Sequence, residues 1–324
     1  MNEFSKLQPV DLDAGQVFSG RPSGRLIKGY EEPIAHTPQA DHNYLFHESS
    51  RDVIVWFLEK SDPLYIFGPT GSGKTSLIKE LAARINYPVF EITGHSRLEF
   101  PDLVGHLTVV DGQMSFQHGP LSLAMKHGGL FLLNEIDLLD PSTAAGLNSV
   151  LDGSPLCIPE NKSEVIVPHE MFRFAATANT NGSSDETGLY QGVLRQNLAF
   201  LDRFMLCEVG YPTLEMEVEL LNRLTPELPS ELRSKMVEYA GEVRRLFVGQ
   251  GKTDNIMEVT FSTRTLIRWA KLTLVFQPLA RQGLSPIKHA LDRALAFRAS
   301  PESRAFLHEL VQRIFPSENL KESS

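Results

Sequence analysis

The chain has 324 residues, 42% of them hydrophobic, and a formal net charge of −9, so it is long for a single core, suits two domains and has ample apolar surface to bury. The acidic balance argues against an extended nucleic-acid backbone interface, which needs dense Lys and Arg, and no apolar run or leader points to a membrane, so a cytoplasmic protein is expected. Its two cysteines, Cys157 and Cys207, fit neither a disulfide framework nor a zinc site; they suggest a reducing compartment and read as small buried hydrophobes.

Residues 1–45 are rich in Gly, Pro and polar side chains, carry no sustained period, and read as a loosely structured lead segment. Ser49 and Ser50 can cap a helix carrying Val53, Ile54, Trp56, Phe57 and Leu58, ending before Pro63. Leu64 to Phe67 is an apolar run of strand length. After a glycine-rich loop come Leu77, Ile78, Leu81, Ala82 and Ile85, at the one-sided spacing of a helix. Strand-length runs recur at 88–93, 130–133, 172–178 and 204–209, and their alternation with helical stretches predicts parallel βαβ units. Two hairpins are expected within this pattern, one over 107–117 turning at Asp111-Gly112 and one over 156–168 turning near Asn161 to Ser163. Beyond Tyr211-Pro212 the strands stop. Helical patterns follow at 213–224, 230–248, 263–276, 285–298 and 301–315. The predicted organisation is a lead segment over 1–45, an α/β core over 46–210 and a smaller all-helical domain over 211–324.

The loop between the first core strand and its helix reads Gly68-Pro69-Thr70-Gly71-Ser72-Gly73-Lys74-Thr75-Ser76 and fits GxxxxGK[ST] in its required strand-to-helix context. Glycines there let backbone N–H groups close around phosphate oxygens, and the helix N-terminus adds its positive dipole end. Lys74 would reach the β- and γ-phosphates of ATP, and Thr75 would ligate Mg²⁺. A second GKT, at Gly251-Lys252-Thr253, lacks the first glycine, because Leu246 stands there, and lacks a following helix; it is rejected.

Gly128 to Glu135 is an apolar strand ending in polar residues. Glu135, at its C-terminal end, is the expected group for polarising the attacking water. Asn134 stands where an Asp usually helps to hold Mg²⁺ through water. The amide keeps an acceptor oxygen and loses the charge, so weaker Mg²⁺ binding and slow turnover are expected. Asp137 could restore that charge only if the strand end bends.

Taken together, GPTGSGKT, HSRLEFPDLVG, GGLFLLNEID, FRFAATANT, TGLYQG and LDRF, in this order over residues 60–225, resemble the MoxR-type AAA+ ATPases, a group that includes the ATPase subunit of aerobic cobaltochelatase. The resemblance implies a P-loop NTPase core, a parallel-sheet sandwich, followed by a helical lid. It makes Asn179 similar to sensor 1, Arg203 similar to an arginine finger acting on a neighbouring subunit, with Arg195 as the competing residue, and Arg264 in FSTRTLIRW similar to sensor 2. The two hairpins resemble devices for contacting a client. The implied activity is ATP hydrolysis in a homo-oligomeric ring, a hexamer, that remodels a partner protein bearing a von Willebrand A domain, with metal-chelatase service as a narrower version. An ATP-dependent assembly switch that barely hydrolyses and a DNA-dependent motor are the alternatives.

Overall fold

The computed structural model describes residues 3–59, 62–182, 192–247 and 259–316. Most of TGLYQG and the second GKT lie outside the described residues. The chain divides into two compact units: residues 1–42, 48–69 and 74–209 form the first, and residues 43–47, 70–73 and 210–324 form the second.

The first unit opens with β1 (Pro9–Asp13), α1 (Ala14–Ser19) and β2 (Leu26–Tyr30). It continues through α2 (Ser50–Leu58), β3 (Leu64–Phe67), α3 (Lys74–Arg84), β4 (Val89–Thr93), α4 (Phe100–Val104), β5 (Gly105–Val110), β6 (Gln113–His118), α5 (Pro120–His127) and β7 (Leu130–Asn134). It closes with α6 (Pro141–Gly146), α7 (Asn148–Leu151), β8 (Leu156–Ile158), β9 (Glu164–Ile166), β10 (Arg173–Ala178), α8 (Leu198–Leu201) and β11 (Met205–Glu208). Five strands form one sheet in the order β11-β3-β10-β7-β4, every neighbouring pair parallel. All five residues of β7 are buried, as a strand covered on both faces requires, and its unbroken LFLLN run is the sequence form of that condition. Phe131, Leu133, Phe174, Ala176 and Phe204 lie in the core that also holds Leu103, Leu121, Met125, Leu147 and Ile158.

Register brings the chemistry to one edge. Ala178 pairs with Phe67 and Ala176 with Leu133, so the residues that follow β3, β7 and β10 leave the sheet together at its C-terminal edge, where α/β folds place their ligands.

The irregular lead expected over 1–45 instead contains structure. Strands β1 and β2 pair antiparallel from Pro9↔Tyr30 to Asp13↔Leu26, Ile27 and Tyr30 are buried, and the Tyr30 hydroxyl donates to the Gly128 carbonyl at 2.7 Å. Strands of five residues joined by a Gly- and Ser-rich connection hold too few alternating positions to register as a period.

Both hairpins form. In β5–β6 the two turn residues, Asp111 and Gly112, take φ of 51° and 77°, the left-handed pair that a tight two-residue turn needs. Its face carries Val109 and Met114, cross-strand neighbours that are 70% and 67% exposed. Strands β8 and β9 pair from Leu156↔Ile166 to Ile158↔Glu164. Cys157 on β8 is exposed, against the expectation of burial, while Cys207 on β11 is buried. The β8 alternation turns Leu156 and Ile158 inward and Cys157 outward.

The second unit contains α9 (Leu214–Leu224), α10 (Ser230–Phe247), α11 (Thr263–Val275), α12 (Pro286–Ala294) and α13 (Pro301–Ile314). Thr213, Ser262, Ser285 and Ser300 cap four of these N-termini through their hydroxyls. Tyr239, Phe261 and Trp269 pack ring on ring with centroids 4.9–5.6 Å apart, inside a core that reaches Leu310 and Phe315. Glu217, fully buried, is held by both terminal nitrogens of Arg244 at 2.8 Å and by the Thr263 hydroxyl at 2.6 Å. The helix expected over 285–298 breaks at Leu295, whose φ of −143° and buried side chain end α12 before a short 3₁₀ turn. No helix among the described residues is long and apolar enough to cross a membrane.

Candidate functional site

The loop after β3 passes so close to the chain leaving β11 that a Cβ on Gly68 would lie 2.2 Å from the Val209 carbonyl oxygen. Gly73 turns into α3 with φ of 97° and open space where a Cβ would stand, so any side chain there would be strained. Lys74 is 9% exposed. Its ammonium donates to the Gly68 carbonyl at 2.8 Å, the Pro69 carbonyl at 3.0 Å and the Asn179 side-chain oxygen at 3.1 Å. These are neutral acceptors, which phosphate oxygens would replace by stronger charge-assisted bonds.

Residues 70–73 belong with the second unit. There the Tyr211 hydroxyl donates to the Thr70 carbonyl at 3.0 Å, and a Cβ on Gly71 would lie 2.5 Å from the Cβ of Ser262 and 3.8 Å from that of Arg264. Arg264 itself is exposed. The Ser72 hydroxyl is buried and has no hydrogen-bond partner among the described residues. Thr70 and Ser76 are exposed.

At the end of β7, Asn134 is 7% exposed. Its Oδ1 accepts from the Thr75 hydroxyl at 2.7 Å and from the Thr177 hydroxyl at 3.0 Å, and its Nδ2 donates to Glu91 Oε1 at 2.8 Å. The other oxygen of Glu91 accepts from Lys79 at 2.8 Å. Thr75 and Asn134 thus present adjoining hard oxygens, the donor type Mg²⁺ prefers when it keeps much of its water. The residues fit the ion.

Glu135 leaves the strand in the left-handed conformation, φ 54° and ψ 43°, and its side chain is exposed. The chain does bend here, into a 3₁₀ turn over Ile136–Leu138. In that turn the Asp137 Oδ2 accepts from the N–H groups of Asn179 at 2.8 Å and Thr180 at 3.2 Å. Burial raises its pKa above the ordinary carboxylate value, opposed by those two N–H groups. Asn179, next after β10, is thereby clamped at its backbone by Asp137 and joined at its side chain to Lys74.

Arg203 lies apart from these residues. It grips Asp152 with two nitrogens, Nε to Oδ1 at 2.8 Å and Nη2 to Oδ2 at 3.1 Å. Arg195 is exposed. Sequence reasoning missed Glu91, Thr177 and the clamp role of Asp137. The one available signal was a lone carboxylate inside the apolar run VFEIT.

Comparison with known proteins places this geometry. Residues 63–204 match the AAA domain (dynein-related subfamily), and residues 217–314 match the CbbQ/NirQ/NorQ C-terminal domain. The aerobic cobaltochelatase subunit CobS of a Sinorhizobium species is 30% identical over 322 residues, 96% of this chain and 95% of that protein. The chain belongs to the MoxR-type AAA+ ATPases. Another relative in this range is protein NorQ of Paracoccus denitrificans, 26% identical over 80% of this chain and 84% of that protein. Among solved structures, a mutant of Thermotoga maritima RuvB matches with a TM-score of 0.48 and 13% identity, covering 85% of this chain and 74% of that one. The α/β assignment to the AAA+ fold rests on the five-stranded parallel sheet itself, with the helical unit following it.

Proposed function

We propose that this MoxR-type AAA+ ATPase binds Mg²⁺·ATP on the Gly68–Ser76 loop, hydrolyses it slowly, and works as a subunit of a hexameric ring that remodels or activates a partner protein. The observation that carries the reading is the hydrogen bond from the buried Lys74 ammonium to Asn179, which joins the phosphate loop to the strand end where AAA+ enzymes sense the γ-phosphate. Lys74 would neutralise the β- and γ-phosphates, and Thr75 with Asn134 would hold Mg²⁺ and its water. When bound, Mg²⁺ offsets charge on the phosphates. Glu135 would take the proton of the attacking water, and Asn179 would orient that water. Arg203, its guanidinium oriented by Asp152, would serve the terminal phosphate of the neighbouring subunit, Arg195 being the competitor, and Arg264 would contact the phosphates from the helical unit.

The partner would be a protein with a von Willebrand A domain, contacted through the exposed faces of the two hairpins. Metal chelation is the narrower role that the CobS likeness suggests. A second reading, an assembly switch that binds ATP and barely cleaves it, is favoured by the uncharged amide at position 134. Phosphate release by the wild type, Lys74→Ala and Glu135→Gln decides between them. The ATPase reading expects Lys74→Ala to lose nucleotide binding, and Glu135→Gln to bind ATP yet lose about 10²-fold or more in rate. Equal, negligible rates in wild type and Glu135→Gln, with ATP bound by both, would favour the switch.

A further inference from the structure

We infer that Glu91 is a positioning residue for the metal-bound nucleotide: it fixes the Asn134 amide so that the oxygen end faces Thr75, and it supplies, one hydrogen bond away, the negative charge that position 134 lacks. The inference rests on reading the Gly68–Ser76 loop as a Mg²⁺·ATP site.

An amide has an acceptor end and a donor end. Turned the wrong way, Asn134 would point an NH₂ group at a cation. Three contacts select the other orientation. Thr75 and Thr177 donate to Oδ1 at 2.7 and 3.0 Å, and Glu91 accepts from Nδ2 at 2.8 Å. Hydroxyls can also accept, so they would tolerate a flipped amide. A carboxylate is acceptor-only, and Glu91 is the contact that forbids the flip. Glu91 is itself held by Lys79 at 2.8 Å, and Lys79 stands one helical turn after Thr75 on α3, on the same helix face. The helix that carries Thr75 therefore also anchors the group that orients its partner.

The arrangement suits an amide and not an acid. With Asp at position 134 there would be no N–H to donate, and two carboxylates would face each other across a hydrogen-bond distance. The orienting part of the Glu91 effect is then lost with Asp at 134, and only its charge remains to act on the cation. A surface ion pair with Lys79 that merely touches Asn134 would have no such dependence.

The test uses the full chain and a fluorescent ATP analogue, titrating Mg²⁺ and reading the Mg²⁺ concentration at half-maximal nucleotide binding, with thermal melting as the folding control. Glu91→Gln is expected to raise that concentration about tenfold, as loss of a charge-assisted contact implies, without changing nucleotide affinity in the absence of Mg²⁺. In an Asn134→Asp background, where there is no amide to orient, the same substitution is expected to raise it clearly less. Should the Gln variant fail to fold, Glu91→Ala takes its place in both backgrounds. An unchanged Mg²⁺ requirement, or an equal shift in both backgrounds, overturns the role of Glu91 while leaving the nucleotide site standing. No nucleotide binding by the wild type at any Mg²⁺ concentration overturns both.

Discussion

Glu135, proposed here to take the proton of the attacking water, has a backbone that an L-residue rarely adopts, since its φ is 54°. Gly94 is what stands against it: the Gly94 N–H donates to the Asn134 carbonyl at 2.7 Å, and a Cβ there would lie 2.7 Å from the Glu135 carbonyl oxygen. Gly94→Ala must push that peptide aside. It is expected to cut phosphate release by about tenfold or more, as small misplacements of a catalytic group do, while ATP affinity stays within twofold; equal turnover would show that the close approach has no role. Asp137 acts through the backbone of Asn179 and Thr180. Removing its carboxylate in Asp137→Ala strands the N–H groups of Asn179 and Thr180, which should cost about 2–4 kcal/mol in denaturant unfolding and lower turnover. The spacing of the motifs was enough to put Asn134, Glu135 and Asn179 at strand ends and Lys74 at the start of α3. It could not reveal that Asp137 clamps Asn179 or that Glu91 meets Asn134, because those contacts join separate strands and depend on register.

At the scale of elements, the strands of the sheet, both hairpins and the helices of the second unit followed from periodicity, turn chemistry and caps. What escaped was local. The antiparallel pair β1–β2 is short, and the first signal that it is built is Asp13, whose carboxylate accepts from the N–H groups of Gln16, Ser23 and Gly24. Those N–H groups lower its pKa to about 2. Because the folded value lies below the ordinary 3.8, the stability contributed by Asp13 is fully present above about pH 4 and is lost as pH falls toward 2. The gap in melting temperature between wild type and Asp13→Ala should therefore narrow between pH 5 and pH 3; a constant gap would assign the effect to something other than ionisation. The 3₁₀ break at Leu295 was equally hidden, since α12 and the turn after it present one continuous apolar pattern. In the second unit, Ser262 caps α11 through Thr265 N–H at 3.1 Å, and Ser262→Ala should cost about 1 kcal/mol by denaturant unfolding.

At the scale of the whole molecule, the chain has two units with separate cores. The acidic balance of −9 sets the expectation that salt-sensitive DNA binding does not stimulate turnover. In the proposed reading a neighbouring subunit donates the catalytic arginine, which makes activity a property of the ring rather than of the chain. The most direct test mixes Lys74→Ala, which keeps Arg203 and loses nucleotide, with Arg203→Ala, which keeps its nucleotide site and loses the guanidinium. Phosphate release is expected to be near background for each variant alone and to reappear on mixing, as subunits with an intact site meet subunits with an intact arginine. Full-rate hydrolysis by Arg203→Ala alone, or a mixture that stays silent, would contradict the account.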